Sequence, residues 1–168
     1  MDRFPVTRHS LLAAATSGDA GFREAALGEL VEAYWKPVYK YLRLKWRRDH
    51  DAAADLTQSC FAALLERDWL EKFDPARGTF RTYLRTCVDR VALDEYAAGQ
   101  RLKRGGGAAT ESLDFALAER ELALAHPAAN PEEIFYREWQ RELFALAVED
   151  LRRWCAVSGR GLAFAIFE

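Results

Sequence analysis

FDPARGTFRTYLRTCVDRVALDEYAAGQRLKRGGG, Phe73 to Gly107, is the stretch on which the reading of the chain turns. Asp74-Pro75 and Arg77-Gly78 are turn dipeptides that cannot continue a helix, because proline lacks a backbone donor and glycine favours backbone shapes other residues avoid. Thr79 then suits a helix cap, its hydroxyl accepting from an amide that the first turn leaves unpaired. Phe80, Tyr83, Leu84, Cys87, Val88 and Val91 recur at the spacing of one helical face. Arg81, Arg85 and Asp89 fall on the other faces, so the pattern predicts a helix with one apolar side and one charged side. Gly105 to Gly107 end it as a flexible break.

Working upstream, residues 52–69 predict a helix whose Leu56, Cys60, Phe61, Leu64, Leu65 and Trp69 share a stripe, with Asp51 and Asp55 near its positive end. Another helix is expected after Asp19, carrying Phe22, Ala26, Leu30, Val31 and Tyr34. Val38, Tyr41, Leu42 and Trp46 extend that stripe beyond Pro37, which predicts a kink or a new first turn near Tyr34-Trp35-Lys36. The cluster from Arg47 to Asp51 closes it. Residues 7–17 read as a short helix capped by Thr7.

Downstream, residues 108–129 are alanine-rich with a weak apolar pattern and read as a linker with transient helix. Asn130-Pro131-Glu132-Glu133 is a strong helix start, with a cap, proline at the first position and carboxylates in the first turn. Ile134, Phe135, Trp139, Leu143, Leu146 and Leu151 place the helix to about Cys155. No stretch sustains strand alternation, so the fold class is all-α. The expected organisation is a compact helical bundle over 1–104, a flexible linker over 105–129 and a C-terminal helical segment over 130–168.

Composition narrows the function. At 168 residues and 50% hydrophobic the chain can bury an ordinary core, and no apolar run is long enough to span a bilayer. With no signal-peptide pattern, a cytoplasmic protein is expected. Cys60, Cys87 and Cys155 have no paired spacing, so neither disulfides nor zinc are predicted. His9, His50 and His126 lack metal or catalytic spacing and read as solvated surface residues. With no phosphate loop and no nucleophile elbow, neither an enzyme nor a cofactor is expected.

The net charge of −2 is unevenly spread. From Arg77 to Arg104, seven basic residues stand against three acidic ones, a local balance of +4 that leaves −6 for the remainder. Such segregation lets an acidic protein bind phosphate locally. Two readings of the basic helix stay open at this point. Arginines interleaved with Phe80 and Tyr83 suit phosphates and unstacked bases. Equally, the aromatics can be core and the arginines ordinary surface charge.

The order of several motifs adds a resemblance. Tyr34, Pro37, Val38, Tyr39, Tyr41 and Leu42 form an aromatic-rich helix. Asp55, Leu56, Gln58 and Phe61 fit D-L-x-Q-x-x-F, Phe80, Arg81, Tyr83 and Leu84 fit F-R-x-[WY]-L, and Ala92, Leu93 and Asp94 fit A-L-D. In this order they resemble region 2 of bacterial sigma-70 family sigma factors, most like the extracytoplasmic-function group, from about Leu30 to Arg104. Ser59 departs from an acidic position, and Asp89 and Arg90 stand where an asparagine is common. Both departures bear on base preference.

The resemblance implies a non-catalytic subunit that binds core RNA polymerase and recognises and melts the promoter −10 element. By it, Asp55, Leu56, Gln58 and Phe61, flanked by Tyr39 and Lys40, dock on the β′ clamp helices, Asp55 and Gln58 making polar contacts and Leu56 and Phe61 being shared with the core. The loop from Lys72 to Thr79, with Asp74, captures a flipped base of the non-template strand beside Phe80 and Tyr83. Arg77, Arg81 and Arg85 hold that strand, and Arg101, Lys103 and Arg104 meet duplex phosphate. It further implies an anti-sigma partner and a region 4 helix-turn-helix, of which residues 130–168 would be a truncated start. The alternative expectation is a helical regulatory adaptor whose basic helix pairs with an acidic protein.

Overall fold

The computed structural model describes residues 9–66, 69–99, 113–123, 130–160 and 164. Among these the regular structure is entirely helical: α1 (His9–Ala15), α2 (Ala20–Lys45), α3 (His50–Glu66), a 3-10 turn (Pro75–Arg77), α4 (Phe80–Gly99), α5 (Phe115–Ala123) and α6 (Pro131–Val157). The all-α expectation holds. No helix among the described residues is long and apolar enough to cross a membrane.

α2 is the mast of the molecule, packing against α1, α3, α4, α5 and α6. Asp19 starts it by accepting from the amides of Gly21 and Phe22 at 2.9 and 3.2 Å. From Tyr34 to Leu42 every residue except Lys36 is buried, the behaviour of a helix that is apolar on all sides and wrapped by others. Pro37 lies inside this one continuous helix, so no new first turn forms at Tyr34-Trp35-Lys36. Packing on every side offsets the one backbone hydrogen bond that proline removes.

α3 and α4 lie together on one flank. Leu56, Cys60, Phe61 and Leu64 of α3 and Phe80, Leu84, Val88 and Ala92 of α4 join the core, as their periodicity predicts. Leu65 departs from the predicted stripe: it is 52% exposed, and Trp69, expected on the same helix, lies in a turn. Asp89 ties α4 to α2, accepting from Lys45 Nζ (2.9 Å), Trp46 Nε1 (2.9 Å) and Tyr41 Oη (3.2 Å).

The C-terminal helices complete the core. Within the stretch expected to be linker, residues 115–123 form α5, capped by Asp114 (Leu117 N to Oδ1, 2.9 Å). Phe115 sets its ring edge-on to Trp35 at 5.3 Å, and the fully buried Ala118 lets the two backbones approach closely. α6, capped by Asn130 as its start signal predicts, brings Phe135 and Trp139 each to 6.4 Å from the ring of Tyr34. Burying large aromatics such as these contributes roughly 1.5–3 kcal/mol each. Thr7, Gly105–Gly107 and residues 124–129 lie outside the described residues.

Candidate nucleic-acid interface

The loop between α3 and α4 is shaped by short-range chemistry. Asp74 accepts from the amide of Ala76 at 2.9 Å and so folds the 3-10 turn, and Thr79 accepts from Thr82 N at 3.4 Å to begin α4. Between them Gly78 sits at φ 147° and ψ −168°, a backbone region essentially reserved for glycine. Phe73 anchors the loop from below, 5.4 Å from the Phe80 ring and 5.6 Å from that of Tyr83. Tyr83 donates its hydroxyl to the Trp69 carbonyl at 2.8 Å. Burial first, and then Cys87 beside it, pushes this phenol up to about 12, so it stays a neutral donor at physiological pH.

Against this loop lies an open cavity of about 270 Å³. Lys72, Asp74, Arg77 and Thr79, all expected to contact a base or its backbone, line it together with Tyr83. Arg90, Thr82, Thr86 and Cys87 line it too, and none of these was expected there. Their signal was present: residues 79, 82, 83, 86, 87 and 90 repeat at three and four, one face of a helix.

The other members of the expected DNA-binding set are placed differently. Phe80 is a core residue at 2% exposure, its ring edge-on to Tyr34 at 5.5 Å, so it offers no face for a base to stack on. Arg81 and Arg85 are covered by α6. The Arg81 guanidinium lies 3.9 Å from the centre of the Trp139 ring and 5.2 Å from that of Tyr136. Arg85 pairs with Glu132 at 3.3 Å and lies 6.0 Å from the Phe135 ring. Arg101, Lys103 and Arg104 lie outside the described residues.

Of the expected docking set, Asp55 is exposed and Gln58 half-buried on the outer face of α3. Leu56 and Phe61 turn inward, at 2% and 4% exposure, into the core they were expected to share. Tyr39 is fully buried under α5, where it donates to Glu119 Oε2 at 2.6 Å and lies 2.8 Å from His50 Nδ1. His50 is therefore half-buried and hydrogen-bonded rather than a solvated surface residue. Local sequence could not reveal this, because the covering helix arrives 80 residues downstream.

Beside Tyr39, a row of cations on α2 meets carboxylates on α5 and α6. Lys36 pairs with Glu142 at 2.9 Å. Lys40, nearly inaccessible, bridges Glu121 at 2.7 Å and Glu138 at 2.6 Å. Arg43 holds Glu119 with two nitrogens, Nε at 2.8 Å and Nη2. That hydrogen bond is the largest cause of the fall of the Glu119 carboxyl to about 2; burial opposes it and Tyr39 adds to it. At Glu121 burial works toward a higher value, but the bond and charge of Lys40 hold the carboxyl below its usual range. Among the described residues no group of three or more His, Cys, Asp or Glu is placed to hold a metal.

Compared with known proteins, residues 30–102 match the family Sigma-70 region 2. The matched segment takes in the second half of α2, all of α3, the loop with its cavity and α4; α5 and α6 lie beyond it. No curated protein and no solved structure matches the chain.

Proposed function

We propose that this chain is a sigma factor of the sigma-70 family that binds core RNA polymerase and directs initiation by recognising and melting the promoter −10 element. The observation that carries the reading is the cavity at the α3–α4 loop, framed by Lys72, Arg77 and Arg90 inside the segment that matches Sigma-70 region 2. Its volume suits a single nucleobase. Drawing a base out of the duplex costs a few kcal/mol, which contacts to its edge and stacking on Tyr83 can offset. Tyr83 and Phe73, not Phe80, are the aromatics at the cavity wall. Arg77 and Arg90, which line the cavity, would neutralise the phosphates on either side, and Arg101, Lys103 and Arg104 would meet duplex phosphate further on.

Polymerase docking belongs to α3, where Asp55 and Gln58 offer polar contacts to the β′ clamp helices while Leu56 and Phe61 keep the helix rigid. The extracytoplasmic-function subtype, action in the cytoplasm and control by an anti-sigma partner belong to the same proposal. No covalent step is involved, so no catalytic residue is assigned.

A reconstitution with core polymerase tests both surfaces of the full chain. Asp55→Ala with Gln58→Ala should weaken retention on immobilised core polymerase, and unchanged retention would sink the docking surface. Arg77→Ala should leave core binding intact yet reduce opening of a −10 element, read with a fluorescent base analogue at the flipped position. It should also flatten the salt dependence of strand binding by about one phosphate contact.

A further inference from the structure

Five cations on one face of α2 and α4 are each met by α5 or α6. Lys36, Lys40 and Arg43 meet Glu142, Glu138, Glu121 and Glu119. Arg85 meets Glu132, and Arg81 lies over the Trp139 ring, 3.9 Å from its centre. Carboxylates against lysine and arginine, with an aromatic ring against a guanidinium, reproduce the two contacts a single strand makes: phosphate to cation and base to side chain. α5 and α6 both lie outside the segment that matches Sigma-70 region 2.

We infer that α5 and α6 are an internal occupant of this basic face, and that single-stranded nucleic acid competes with them for it. The inference rests on the strand-binding function proposed above and extends its phosphate contacts from Arg77 and Arg90 to Arg81 and Arg85 on the same helix. In the arrangement described here a phosphate would have to compete with Glu132 for Arg85 and with the Trp139 ring for Arg81. The apparent affinity for a strand is then the intrinsic affinity scaled by the fraction of molecules in which the face is open. Loosening the cover raises affinity without adding any contact to DNA.

The test uses the full chain, a short fluorescein-labelled single-stranded DNA and two charge-matched variants. Glu132→Gln with Glu142→Gln removes two carboxylates that hold Arg85 and Lys36 and leaves the aromatic core untouched. Glu149→Gln with Asp150→Asn removes the same charge from the far end of α6, where, among the described residues, both carboxylates pair within the helix, with Arg152 and Arg153. The first variant should bind the oligonucleotide about fivefold more tightly than wild type, the effect of two partly exposed ion pairs on the open fraction. The second should stay close to wild type. Hydrogen exchange should show the amides of residues 131–157 losing protection as wild-type protein is saturated with DNA. Equal affinities for the two variants, with α6 still protected in the bound protein, overturn the competition and leave the proposed function standing. Absence of binding by all three proteins overturns the strand-binding reading itself, and the competition with it.

Discussion

Lys40 carries its ammonium at 1% exposure, and two carboxylates make that position tenable. A buried charge without a partner is strongly unfavourable, whereas a paired and hydrogen-bonded one is close to neutral. Lys40→Ala therefore does more than delete a side chain, because it takes the bridging cation away from the buried Glu138, which keeps Arg141 at 3.0 Å, and from Glu121, which keeps Lys36 at 4.0 Å. The expected loss is about 3 kcal/mol of folding stability, read by urea denaturation. A loss no larger than that of an exposed pair would mean that water enters and takes the lysine's place. From sequence Lys40 was expected to flank a docking surface beside Tyr39. Both residues are instead covered, and their partners lie 80 to 98 residues away along the chain. Nothing in the neighbourhood of Tyr39 or Lys40 encodes that distance.

At the scale of elements, local rules served well wherever the stabilising contact is itself local. The Asp74 turn, the Thr79 start of α4, the Asn130 cap of α6 and the inward faces of α3 and α4 were all visible as spacing and residue type. Gly78 belongs here too, since the backbone it adopts is one that a β-carbon resists. Gly78→Ala should cost roughly 1–3 kcal/mol by urea denaturation, although no neighbouring atom stands within 4 Å of the added carbon. Gly18→Ala, equally uncrowded and free of that backbone shape, is the control and should change little. Elements governed by distant packing were harder to read. α2 continues through Pro37 because helices on every side hold it. α5 forms in an alanine-rich stretch of weak pattern because Trp35 and Tyr39 supply a surface for Phe115.

Across the whole molecule the segregated charge finds its own complement, with the basic face of α2 and α4 meeting the acidic faces of α5 and α6. On α4 the tie is Arg85 to Glu132, and on α2 it is Lys36, Lys40 and Arg43 to the carboxylates of α5 and α6. One tie of this kind is acid-labile. Glu119 titrates at about 2 in the folded protein against 4.5 ordinarily, so its contribution is complete above 4.5 and is lost as pH falls from there toward 2. Glu119→Gln should abolish that part of the pH dependence: the stability difference between wild type and variant should shrink steadily across the window. A difference that stays constant from neutral pH to pH 2 would mean that the carboxylate is not what Arg43 and Tyr39 hold. By itself the sequence determined the helical class, the turn and caps around α4, the motif order and the stretch that matches Sigma-70 region 2. All of these are set by spacing within a few residues or by motifs read directly along the chain. Only the tertiary structure decided that Phe80 is core, that Arg81 and Arg85 lie beneath α6, that Tyr39 lies beneath α5 and that Arg90 joins the cavity. Whether a side chain faces water or another helix depends on which distant segment packs over it, and no local pattern carries that information.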